Sequence, residues 1–120
     1  MAKFDADILR QLRNVDEVAI RTDKHPKRAV VIWVVVADDE VFVRSWRGAK
    51  GRWYQDLAAG GPATVEFDGS SLAVQVFPAG DQDAVNRTSR EFLGKYRRST
   101  HAEEMVRPET LPTTLRLEPR

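Results

Sequence analysis

The chain has 120 residues, enough for one domain around a single core and too few for two. Its 42% hydrophobic and 31% charged residues are ordinary globular values and exclude a disordered, fibrous or low-complexity protein. Nineteen basic against 18 acidic residues leave a formal charge of +1, so the molecule lacks the strongly basic character of a general nucleic-acid binder and any cationic function is local.

With no cysteine there is no disulfide, thiolate metal ligand or cysteine nucleophile, and a reducing, cytoplasmic setting is the expectation. Met1 to Asp5 lacks the apolar core of a secretory signal, and the longest apolar run, Ala29 to Ala37, is too short to span a bilayer.

Asp5 predicts the cap of a first helix carrying Ile8, Leu9 and Leu12, with Phe4 and Leu9 placed as a hydrophobic staple. Val18, Ile20 and Thr22 alternate with polar or small residues, giving a half-buried strand that ends in a polar turn over Asp23 to Arg28. The β-branched and aromatic run Val30 to Val36 predicts a central strand buried on both faces, with Trp33 in the core. Asp38-Asp39 joins it in a hairpin to a strand over Val41 to Trp46. Alternation there sets Phe42, Arg44 and Trp46 on one face and Val41, Val43 and Ser45 on the other.

A short helix over Trp53 to Ala59 follows, and Gly60-Gly61-Pro62 breaks it. Thr64 to Phe67 and Leu72 to Phe77 flank Asp68-Gly69 as a second hairpin. Asp81 predicts the cap of a longer helix in which Val85, Ser89, Phe92 and Tyr96 recur at helical spacing, with Leu93 widening the stripe. His101 to Pro112 is proline-bearing and irregular, and Thr113 to Glu118 is a last strand. About six strands in hairpins with three helical pieces give an α+β protein on an antiparallel sheet, either curled into a small barrel or open.

Arg44 to Tyr54 concentrates four cations, Arg44, Arg47, Lys50 and Arg52, with the aromatics Trp46, Trp53 and Tyr54 and the glycines Gly48 and Gly51. A strand leading through a glycine-bearing turn to a helix start offers backbone N–H groups to an anion, and the cations add charge-assisted bonds. Arg44, in a strand, needs solvent, an anion or an ion pair, and Ser45 can donate to a phosphate or to nearby backbone. The aromatics can cover a flat ring or anchor a core, and the glycines can admit a phosphate or only shape the turn. His25 and His101 lack a metal-ligand set or a nucleophile motif, and Glu103-Glu104 reads as a solvated pair. No side chain stands out as catalytic.

Ile32 to Val36, Val43-Arg44-Ser45, Gly51 to Tyr54 and Thr114 to Leu117 resemble a bacterial family of small uncharacterised proteins, a domain of unknown function. Phe4-Asp5 and Met105 to Glu109 resemble the same family's end motifs, so the likeness covers nearly the whole chain as one domain over 1–120. That family in turn resembles the split-β-barrel flavin-binding proteins, which include pyridoxamine-phosphate oxidases, flavin reductases and deazaflavin-dependent nitroreductases. The likeness runs from Phe42 to Ser45, through Arg52 to Leu57, to Ala63 to Glu66.

The resemblance implies a split barrel, FMN or a deazaflavin coenzyme held by its phosphate at Arg44 to Tyr54, reductase chemistry on a small-molecule substrate, and a homodimer with cofactor at its seam. The basic turn Lys24 to Arg28 sits where such relatives carry a polar turn with basic residues. The alternatives are a non-catalytic ligand-binding or sensor module on the same barrel, and a binder of nucleic acid or an acidic partner through basic residues interleaved with aromatics.

Overall fold

The computed structural model describes residues 2–120; Met1, the start of the segment screened for a signal, lies outside them. Seven strands form one antiparallel sheet, β1 (Val18–Thr22), β2 (His25–Ile32), β3 (Val35–Ala37), β4 (Glu40–Val43), β5 (Gly61–Phe67), β6 (Ser70–Pro78) and β7 (Leu115–Pro119). Three helices accompany it, α1 (Ala6–Asn14), α2 (Arg52–Leu57) and α3 (Gln82–Lys95), with short 3-10 turns at Gly48–Lys50, Ala102–Val106 and Leu111–Thr113. The strand order is β2-β1-β5-β6-β7-β4-β3, and the sheet curls into a half-barrel.

The expected caps are in place. Asp5 accepts from the Ile8 amide at 3.0 Å and Asp81 from the Ala84 amide at 3.1 Å, so each helix begins where a side chain satisfies an orphan N–H. Phe4 and Leu9 are buried in one core cluster, as a staple requires. The Asp38-Asp39 and Asp68-Gly69 turns hold both central residues at positive φ, the geometry whose twist suits a two-residue hairpin.

The run Val30 to Val36 is not one central strand. It is a bent segment whose halves lie at opposite edges of the sheet: Ile32 pairs with Val18 of β1, and Val35 pairs with Phe42 of β4. Side-chain alternation survives the bend, since Ile32, Val34 and Val36 face one core cluster while Trp33, Val35 and Ala37 face another. Only the hydrogen-bond partner changes. At the corner the Val34 amide donates to the Tyr96 hydroxyl at 3.1 Å, and the Val34 carbonyl accepts from Lys95 Nζ at 2.7 Å, which satisfies the backbone where the ladder is interrupted. An edge position also explains why Val31 is 62% exposed and why Pro26, which has no amide to donate, is tolerated in β2.

The expected turn over Asp23 to Arg28 shrinks to Asp23-Lys24, and His25 already belongs to β2.

The first cluster fills the curl, with Val41, Val43, Val65, Val74, Val76, Leu115 and Leu117 capped by Leu9 and Leu12 of α1 and Trp53 and Leu57 of α2. The second, with Phe42, Phe92, Tyr96 and Met105, lies on the outer face under α3. Leu93 is left 42% exposed and does not widen the buried stripe of α3, which runs through Ala84, Thr88 and Phe92. The last strand starts at Leu115 instead of Thr113, because Leu111–Thr113 forms a 3-10 turn.

Candidate functional site

The register of β3 on β4 sets Val35 opposite Phe42, Val36 opposite Val41 and Ala37 opposite Glu40. Carried onward, it would place Trp33 opposite Arg44 and Val31 opposite Trp46, but β4 ends at Val43 and β2 is bound only by β1. The two segments part, and a cleft of about 720 Å³ opens between them. One wall is Arg28 and Val30 to Trp33. The other is Arg44 to Arg47 with Gly51 to Trp53, and Glu17, His101 and Met105 complete the lining. Such a volume lies within the usual range for a small-molecule site.

Arg44 is 1% exposed and engages four neutral acceptors. Nε donates to Thr114 Oγ1 at 2.8 Å, Nη1 to Ser89 Oγ and the Met105 carbonyl at 2.9 Å each, and Nη2 to the Val85 carbonyl at 2.9 Å. Its guanidinium also lies 5.6 Å from the centre of the Phe92 ring. These contacts tie the end of β4 to α3, to the Ala102–Val106 turn and to the approach to β7. Neither solvent nor an ion pair satisfies this arginine; carbonyls and hydroxyls do. Among the described residues no carboxylate joins them, and burial lowers the guanidinium from its ordinary 12.5 to about 10.

The turn after Arg44 is shaped by small residues. Ser45 Oγ donates to the Gly48 carbonyl at 2.7 Å, and its amide donates to Thr113 Oγ1 at 3.0 Å. Gly48 sits at φ 64°, which favours glycine, and Gly51 carries its hydrogen where a Cβ would collide with Ser45 Oγ. Gly51 caps α2 without a side-chain bond. On α2, Asp56 accepts from Thr22 Oγ1 at 2.7 Å and lies 2.6 Å from His25 Nδ1, which pins the helix to the β1–β2 turn.

Trp46 is 53% exposed and stands at the rim. Its Nε1 donates to Glu104 Oε1 at 2.7 Å, its carbonyl accepts from Arg107 Nη2 at 2.9 Å, and the Arg107 guanidinium lies 5.9 Å from the centre of its ring. Glu104 also lies 2.9 Å from His101 Nδ1, and the Trp46 and His101 hydrogen bonds hold its carboxyl below the usual range. Trp33 stacks on Tyr96 with ring centres 3.9 Å apart and planes 4° from parallel. Half-buried and lining the cleft, Trp33 is not the fully enclosed core residue expected.

Of the residues singled out in the sequence, Arg44, Ser45, Trp46, Arg47, Gly51, Arg52 and Trp53 line this cleft. Gly48 shapes the turn behind it, Lys50 is exposed outside the lining, and Tyr54 packs half-buried beside the inner core, edge-on to Trp53. Sequence reasoning missed Glu17, Arg28, Val30, Val31, Ile32, His101 and Met105 as lining residues. The change from basic to apolar residues along Arg28 to Ile32 was a usable signal for β2 once that strand is placed at an edge. His101 and Met105 carried none, because only the packing of the Ala102–Val106 turn on α3 brings them there. Among the described residues, no helix is long and apolar enough to cross a membrane.

The fold is shared with a solved structure, described as the crystal structure of conserved hypothetical protein Rv2991 from Mycobacterium tuberculosis. The TM-score is 0.62 at 12% identity, over 98% of this chain and 79% of that one. At that identity the likeness is one of fold. No curated protein matches the sequence. A family model does match, over residues 8–117, and on that extent the chain belongs to the bacterial family described as "Uncharacterized protein conserved in bacteria (DUF2255)".

Proposed function

We propose that this protein binds a flavin-type coenzyme, FMN or a deazaflavin, in the cleft between β2 and the β4–α2 turn, and that it is oxidoreductase-like. The observation that carries the reading is a buried cation without a counter-charge beside an aromatic cleft. Arg44 has neutral partners only, Trp33, Trp46 and Trp53 line the same space, and Arg28, Arg47 and Arg52 have no carboxylate partner among the described residues. Buried charge is ordinarily paired, so an anionic ligand with a flat ring complements both features. The resemblance to split-barrel flavoproteins names the ligand class.

Bound there, such a coenzyme supplies hydride or electron transfer. The protein's part is to hold the phosphate, orient the ring against indole faces and exclude water. Arg47 and Arg52 take the phosphate in this reading, while Arg44 sets the local potential. The proposal includes a homodimer, because Val31 and Trp46, 62% and 53% exposed, stand at the cleft as apolar groups open to a second copy. Light scattering that returns a monomer mass would reject that part.

Fluorescence titration with FMN and the deazaflavin coenzyme in parallel tests the reading. One of them binds, and Arg47→Ala with Arg52→Ala weakens it about ten-fold or more, a charge-assisted bond being worth about 1.5–3 kcal/mol. No binding of either at high micromolar concentration refutes it. Binding without reduction of quinones or nitroaromatics favours the sensor alternative, and retention on single-stranded DNA at low salt the nucleic-acid one.

A further inference from the structure

The pair formed by His101 and Glu104 plays no part in the reading above. Glu104 Oε1 accepts from Trp46 Nε1 at 2.7 Å and lies 2.9 Å from His101 Nδ1, and His101 lines the cleft. A carboxylate facing Nδ1 fixes the ring as a donor there. Nε2 is then the ring nitrogen without a protein partner among the described residues. The side chain is 63% exposed, so it exchanges protons with solvent while its orientation is held by Glu104.

We propose that His101 is a ligand-binding residue of this cleft, donating from Nε2 as the imidazolium to the anionic group of the bound coenzyme, with Glu104 as its positioning residue. The inference rests on the flavin-type reading of the cleft. Charged groups of both signs lie along the cleft and on the turns around His101. Negative charge comes from Glu104, from neighbouring Glu103 and from Glu17 in the cleft lining. Positive charge comes from Arg107 on the same turn, Arg97 and Arg98 in the preceding turn, and Arg28, Arg44, Arg47 and Arg52 around the cleft. An arriving anion offsets the arginines, so binding the ligand and protonating His101 favour each other.

The test is the same pair of fluorescence titrations, with FMN and with the deazaflavin coenzyme, at pH 6 and pH 8, on wild type, His101→Gln and Glu104→Gln. Ionisation of the phosphate ester itself contributes equally to all three proteins. The wild type gains about ten-fold more affinity on going from pH 8 to pH 6 than His101→Gln does, the worth of a hydrogen bond from an ionised donor that the neutral ring, with its proton on Nδ1, cannot make from Nε2. Glu104→Gln keeps an acceptor for Trp46 yet loses most of that gain. The same pH response in wild type and His101→Gln overturns the inference and leaves the cleft reading standing. Absence of binding by wild type at both pH values overturns the cleft reading, and this inference with it.

Discussion

Replacing Arg44 separates a structural arginine from a ligand-binding one. Its four bonds reach Thr114, Ser89 and the carbonyls of Met105 and Val85. Hydrogen bonds from an ionised donor contribute about 1.5–3 kcal/mol each before the cost of burying the charge. That cost is visible in the fall from 12.5 to about 10, which corresponds to about 3 kcal/mol. Arg44→Met keeps much of the stem volume, removes the buried cation and leaves two carbonyls and two hydroxyls short of a donor. Each hydroxyl still has a proton of its own to donate, as Thr114 Oγ1 does to the Leu111 carbonyl, whereas the two carbonyls are acceptors only, so the net destabilisation is about 3–5 kcal/mol.

Arg44→Lys costs less, about 2 kcal/mol, because one ammonium offers three donors and cannot span acceptors set around a planar fork. Urea denaturation at pH 7 with an unchanged m-value reads both variants. A loss below about 1 kcal/mol in Arg44→Met, with coenzyme binding abolished, would refute the structural argument and make Arg44 a direct ligand contact.

Two other predictions rest on local contacts. Gly51→Ala places a methyl group on Ser45 Oγ and costs about 1–3 kcal/mol; in a Ser45→Ala background the same change costs under about 1 kcal/mol, and additive losses in the double-mutant cycle would show that the turn yields elsewhere. Lys95 donates to the Leu12 and Val34 carbonyls, and burial lowers its ammonium from 10.5 to about 8. Below pH 8 it is charged in both the folded and unfolded states. Between pH 8 and 10.5 the unfolded chain binds the extra proton, so stability rises with pH. The rise is about 1–2 kcal/mol from pH 7.5 to 9.5, and Lys95→Met lacks it. Tyr96, raised by burial from 10.0 to about 12, pulls the other way only above pH 10. A flat wild-type profile over that window would refute the assignment.

Much of the fold is written in local pattern. Aspartates at 5 and 81 fix where two helices start, since only a short side chain with an acceptor satisfies the first-turn amides. The period-2 alternation around Phe42 sends Val41 and Val43 into the curl and Phe42 and Arg44 under α3, as the sequence requires of a strand. The concentration of arginines, tryptophans and glycines over Arg44 to Tyr54 likewise marks one wall of the cleft from local pattern alone.

What the sequence could not state is which strands pair beyond the two hairpins at Asp38-Asp39 and Asp68-Gly69. Val30 to Val36 reads as a buried central strand because hydrophobicity reports burial and not hydrogen-bond partners. The bend at Trp33-Val34 depends on Tyr96 and Lys95, which lie far along the chain, and it puts the two halves of that run at opposite edges. The opposite wall of the cleft and the His101–Glu104 pair at its rim follow from the same long-range closure. The fate of Arg44 is a tertiary fact too, for its acceptors come from α3, from the turn at Met105 and from Thr114, and no local rule brings carbonyls to a buried guanidinium. Local propensity and periodicity act over a few residues and set element type and facing; pairing order, and with it the cleft, is decided by contacts between segments that only the folded chain brings together.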